Sequence, residues 1–185
     1  MSNHPPIWGQ HPYEYLSSMF LCEVPATIEL NGKLFTVVAP SLEHAYQIQK
    51  TTTDQDYMRC VLNEPNPYAV KQLGNKALHS LRPNWDAIRL SIYYNLVLSK
   101  YAHNPQLQAM LVSTYPHTLT EQSDYGDKAG TFWGQHNGKG FNWAGRLTML
   151  VRSQAILALS DPPSVAHTQT SKSDLDFITE PLIKL

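Results

Sequence analysis

Cysteine is scarce in this chain. Cys22 and Cys60 are the only two among 185 residues, too few for a disulfide framework and without metal-ligand spacing. That usage suits a reducing compartment, so a cytoplasmic protein is expected. Charge of one sign is also lacking: 14 basic residues face 15 acidic ones, for a formal net charge of -1. No overall positive field exists to hold nucleic acid non-specifically, and partners must be recognised locally. No apolar run approaches the length of a membrane span, and Met1 to Pro6 lacks a basic region followed by an apolar core. Neither membrane insertion nor export is expected. The eight histidines are scattered without HxxxH or HExxH spacing, which argues against a zinc site. A P-loop, a dinucleotide GxGxxG after a strand, a nucleophile elbow and the kinase motif set are all missing, and no cofactor is implied.

What is present is enough apolar content, 42%, to bury one sizeable core. The pattern predicts an α+β fold: a mainly helical single domain over residues 1–160 with a small N-terminal β-hairpin and a short additional strand. Thr27–Leu30 and Lys33–Val38 read as strands joined by Asn31-Gly32, the pair that type I′ turns require. Ser41 is placed to cap a helix carrying Glu43 in its first turn. Asn66-Pro67 starts a short helix that stops at Gly74-Asn75. From Trp85 the positions Ile88, Ile92, Leu96 and Ser99 recur at helical spacing to about Tyr101. Asn104-Pro105 opens a further helix ended by Tyr115-Pro116. Thr118 to Gln122 is a candidate strand, and Asn142 to about Leu159 the last helix. Beyond Asp161 the composition turns to Pro, Ser, Thr and Gln, which predicts a flexible or loosely docked tail over 161–185.

Two segments carry candidate chemistry. On the helix after Ser41, Glu43, Gln47 and Lys50 are spaced four and three apart, aligning a carboxylate, an amide and an ammonium on one face beside Tyr46. Such a row is either a solvated charge network or a functional surface. The second segment, Asp124 to Arg152, holds Asp127, Trp133, Gly134, Gly138, Gly140 and Asn142 ahead of an apolar helix. It is either a surface loop whose glycines turn the chain or a cradle where backbone amides meet a ligand near a helix start. Trp85, leading an amphipathic helix, reads as a core anchor; Trp133, among glycines, reads equally as core or as a platform for a flat ring. His44 alone defaults to a structural partner of a backbone carbonyl.

Taken in order, these pieces resemble the NADAR (YbiA-like) family. The resemblance rests on Asn31-Gly32-Lys33, then Glu43-His44 with Tyr46-Gln47 and Gln49-Lys50, then Trp85 through Lys100-Tyr101. It continues with Leu119 to Glu121, Asp127 with Trp133-Gly134, and Gly138, Gly140, Asn142, Gly145, Met149 and Arg152. It covers about Tyr15 to Arg152. Departures are Ser17-Ser18-Met19-Phe20 where members carry Ser-Asn-Phe, Gly74-Asn75 where they carry Gly-Arg, and a longer gap before Trp133, which leaves Asp124 or Asp127 as the matching carboxylate.

The resemblance implies an N-glycosidase acting on early riboflavin-pathway intermediates or on ADP-ribosylated guanine in nucleosides or nucleic acid. The alternative is a non-catalytic ADP-ribose or nucleotide sensor. Breaking a ribosyl C–N bond builds positive charge on the sugar, so the site needs a carboxylate near the anomeric carbon and a donor for the departing nitrogen. The implied catalytic residues are Glu43, Lys50 and Asp127. Lys50 would attack through an imine, or a carboxylate would activate water. Tyr46, Gln47, Trp85, Trp133, Gly134, Gly138, Gly140 and Asn142 are the implied substrate contacts. Arg152 is expected to serve as an ion-pair partner within the fold.

Overall fold

Alternating apolar residues and an Asn-Gly turn shape the start of the fold, seen here in a computed structural model that describes residues 8, 10–75, 80–123 and 128–160. The tail 161–185 expected from composition lies outside them, as do Asp124 and Asp127. Strands β1 (Leu21–Leu30) and β2 (Lys33–Ser41) pair antiparallel, with Thr27 opposite Thr36 and Leu30 opposite Lys33. Asn31 and Gly32 both take positive φ, 51° and 76°, as a type I′ turn demands. Val24, Ala26 and Ile28 bury one face of β1.

Seven helices follow among the described residues: α1 (Leu42–Ile48), α2 (Gln55–Asn63), α3 (Pro67–Asn75), α4 (Trp85–His103), α5 (Pro105–Ser113), α6 (Lys128–Trp133) and α7 (Trp143–Ser160). The long α4 packs on β1 and α7, and α1 sits among the hairpin, α2, α3 and α4. One apolar cluster joins Val24, Leu42, Trp85, Leu96 and Val151; a second joins Ile28, Ile48, Met58, Val61 and Val70 under α2 and α3. Each fully buried Leu, Ile or Val side chain contributes roughly 1.5–3 kcal/mol by leaving water.

Four local readings are revised. Helix α2 was not anticipated; Asp54 caps it through Tyr57 N at 2.9 Å, and Tyr57, Met58 and Val61 form its buried face. Helix α6 occupies part of the stretch read as glycine-rich loop. Helix α1 ends at Ile48, so Lys50 lies on the following turn, its amide bonded to Gln47 O at 3.1 Å. The expected strand at Thr118 to Gln122 forms no ladder; Thr120 and Gln122 are isolated bridge residues, Gln122 pairing parallel with Gln135. Side chains add to this backbone pairing. Asn142 and Met149 bond the backbone of Leu119, and Asn142 also bonds that of Glu121.

Candidate active site

The polar row on α1 is buried. Ser41 Oγ accepts from His44 N at 3.3 Å and contacts His44 Nδ1 at 2.7 Å, while His44 Nε2 lies 2.7 Å from Glu64 O. His44 is therefore a tie between α1 and the end of α2. Glu43, 7% exposed, is held at three points. Its amide donates to Ser18 O at 3.0 Å, Ser18 Oγ donates to its Oε2 at 3.0 Å, and Gln47 Nε2 donates to its Oε1 at 2.7 Å. The opposite end of the Gln47 amide, Oε1, is buried without a hydrogen-bond partner and abuts Gly74, where a Cβ would sit 1.9 Å from it. Gly74 thus leaves room for the group that orients Glu43.

Lys50 extends from a fixed backbone, its carbonyl accepting from Arg82 N at 2.8 Å. Its Nζ donates to Gly74 O at 3.5 Å and lies 5.9 Å from the centre of the Tyr46 ring. Burial lowers its pKa and the Glu43 charge pulls the other way, with burial the larger effect. An amine so placed is more readily neutral than one in water.

Tyr46 is the hub of an aromatic cluster. Its ring centre lies 5.1 Å from Trp85, 5.8 Å from Tyr93 and 5.4 Å from Trp133, and Tyr93 lies 4.7 Å from Trp133. Burial, then Glu43, raises the Tyr46 hydroxyl well above its ordinary value, so it stays protonated. Trp85 is a buried core residue as well as a wall of this cluster, whereas Trp133 is half-buried. The guanidinium of Arg89, one turn after Trp85, lies 3.9 Å over the ring of Phe132, next to Trp133.

The glycine-rich segment acts largely on Glu121. Asn142, in the left-handed region at φ 52°, donates from Nδ2 to Leu119 O at 2.9 Å and accepts at Oδ1 from Glu121 N at 3.0 Å. Gln135 N donates to Glu121 O at 2.8 Å, and a Cβ on Gly134 would stand 2.5 Å from that same carbonyl oxygen. A Cβ on Gly140 would stand 2.4 Å from Gly134 O. Gly134, Gly140 and Asn142 therefore pack closely to hold Glu121, while Gly138, at φ 75°, turns the chain in open space. Burial, with Glu43 adding to it and Lys71 opposing, pushes the Glu121 carboxyl up to about 7. Tyr93 is raised by burial, then by the charges of Glu121 and Glu43.

The structure thus brings Glu43, Tyr46, Gln47, Lys50, Trp85 and Trp133 together. Glu121 and Tyr93 join them, and neither was singled out from residue types alone. The signal for Glu121 was its place in the family pattern. Among the described residues Arg152 forms no ion pair; its Nη1 donates to Thr114 Oγ1 and His117 O, both at 2.8 Å. Among the described residues no group of three His, Cys, Asp or Glu is placed to hold a metal ion, and no helix is long and apolar enough to cross a membrane. Two concavities, about 350 Å³ between β1 and α4 and about 480 Å³ beside Cys22 and His103, are lined by none of the site residues.

A buried carboxylate and a desolvated amine beside an aromatic wall, on a helical α+β scaffold, define a site suited to a polar substrate bearing a flat ring. Comparison with known proteins specifies the family: the NADAR domain matches residues 7–155, and the chain belongs to that family. It is 29% identical over 128 residues to N-glycosidase YbiA of Shigella boydii, covering 69% of this chain and 74% of that protein. A chloroplastic riboflavin biosynthesis protein, PYRR of Zea mays, is 31% identical over 136 residues, which are 68% of this chain and 21% of the relative. The NMR structure of Escherichia coli YbiA shares the fold with a TM-score of 0.68 at 24% identity, covering 89% of this chain and 90% of that one.

Proposed function

We propose that this protein is an N-glycosidase that cleaves the bond between a ribosyl anomeric carbon and the nitrogen of a planar base. The substrate class is the ribosylated compounds of early riboflavin synthesis or ADP-ribosylated guanine, free or in nucleic acid; both present a ribose joined through nitrogen to a flat ring. The single observation that carries the reading is Tyr46, whose ring centre is 5.9 Å from Lys50 Nζ and 5.4 Å from Trp133, on the helix that holds Glu43. Base platform, amine and carboxylate therefore share one neighbourhood. The names N-glycosidase and riboflavin biosynthesis protein among the relatives support the same reading.

In this reading the base rests against Trp133 and Tyr46, and the neutral Lys50 amine adds to the anomeric carbon. The C–N bond breaks, its electron pair leaves with the base, and the base takes up a proton. The attacking nitrogen gives a proton to Glu43. The ribosylamine formed on Lys50 opens to an imine, and water releases the sugar and restores the amine. Borohydride added during turnover reduces that imine, so mass spectrometry finds a ribityl-type adduct on Lys50. An active Lys50→Arg variant with no adduct in the wild type would instead assign the attack to water activated by Glu43.

A further inference from the structure

The leaving base needs a proton, and neither Glu43 nor Lys50 is free to give one in the scheme above. We infer that Glu121 is the general acid that protonates the departing base, an inference that rests on the N-glycosidase reading. Three observations carry it. Its backbone is held on both sides, by Asn142 at the amide and Gln135 at the carbonyl, with Gly134 packed against that carbonyl. A Cβ on Gly134 would also stand 3.3 Å from the Glu121 Cβ, so this side chain is rooted on a fixed segment beside the residue that follows Trp133. Burial first, and then the Glu121 charge, raises Tyr93, whose ring contacts both Trp133 and Tyr46, the residues proposed to hold the base. Glu43 adds to the upward shift that burial gives the Glu121 carboxyl.

Two carboxyl groups in one site cannot easily both be charged, and their environments divide the roles. The charged and titratable groups acting on Glu121 are Lys71 from α3, Glu43 from α1 and Tyr93 from α4. Burial outweighs Lys71, and the carboxyl titrates at about 7, so a transferable proton is available near neutrality. In the step itself the C–N electron pair moves onto the base nitrogen and that nitrogen takes the Glu121 proton. Glu121 leaves the step as a carboxylate and is reprotonated by solvent after the base departs.

The test compares two leaving groups. A riboside of a neutral base requires protonation, whereas a ribosyl-pyridinium departs as a neutral pyridine without it. Wild-type kcat/KM on the neutral-base riboside is expected to fall about tenfold per pH unit above roughly pH 7, with no such limb for the ribosyl-pyridinium. Glu121→Gln is expected to lose at least about 100-fold on the first substrate and less than about fivefold on the second. Equal losses on both, a full-rate Glu121→Gln on the neutral base, or the same basic limb for both substrates would each overturn the assignment. The wild-type profiles stand even if the variant fails to fold. Wild-type protein that cleaves neither compound would instead remove the underlying N-glycosidase reading, and this inference with it.

Discussion

Asn142 grips the segment that carries Glu121 with both ends of one amide, donating to Leu119 O at 2.9 Å and accepting from Glu121 N at 3.0 Å. A residue from the start of the last helix thereby does the work of a neighbouring strand. It also takes a positive φ that Asn tolerates better than most residues.

Replacing that amide separates backbone need from hydrogen bonding. Asn142→Gly keeps the left-handed conformation but leaves Leu119 O and Glu121 N unpaired, and is expected to cost about 2–3 kcal/mol. Asn142→Ala adds backbone strain of about 1 kcal/mol. Urea titrations of the two variants check the difference, and equal stabilities would show that φ at this position carries no strain.

Gly74 predicts a functional effect at a distance from the substrate. A methyl group there would sit 1.9 Å from Gln47 Oε1, so Gln47 must turn away from Glu43. Gly74→Ala is expected to lower kcat about tenfold, equivalent to about 1.4 kcal/mol of transition-state stabilisation. Steady-state kinetics with a thermal melt on the same sample measure it; unchanged kcat would show that Gln47 does not orient Glu43.

Lys100 predicts a pH dependence of stability. It is fully buried, donating to Tyr15 O at 2.7 Å and Ser17 O at 3.0 Å, and burial lowers its pKa to about 8. The unfolded chain binds the Lys100 proton more tightly than the folded one. Stability therefore rises as pH climbs from 8 toward 10.5, by at most about 1.4 kcal/mol per unit. Burial raises Cys22 from 9.0 and raises Tyr15 from 10.0 to about 12, so those groups withdraw stability as pH rises above 9 and 10. The clean window runs from about pH 7.5 to 9, where denaturant titrations should show a gain of about 1 kcal/mol in the wild type. Lys100→Met should show a clearly smaller gain, the remainder coming from Lys50, whose pKa burial also lowers. An equal slope in both would assign the dependence to another group.

The sequence was most readable where one local rule decides the outcome. Asn31-Gly32 forces its turn, Ser41 and Pro105 begin helices by their own chemistry, and the rows from Trp85 and Trp143 bury one side. Glu43, Tyr46 and Lys50 were visible because their spacing aligns them, although α1 ends before Lys50. Helix α2 carried an Asp54 cap, apolar residues at helical spacing and Pro65 just beyond its end, but the apolar pattern is only about two turns long. Glu121 was hidden for a different reason. Its raised pKa depends on burial in the folded chain, and its placement depends on Asn142 and Gly134, which sequence spacing alone assigned to a ligand loop. Distant contacts, not neighbours in the chain, give that carboxyl its character.

Central to the proposed chemistry are the α1 carboxylate and the amine just beyond it, acting on a ribosyl bond. Its most direct test follows base release by chromatography when purified protein is incubated with a riboflavin-pathway riboside and with ADP-ribosylated guanosine. The wild type is expected to release base from at least one of them, with Glu43→Gln and Lys50→Ala folded but each slowed at least about 100-fold. Near wild-type release by both variants, or none by the wild type from either compound, would contradict it.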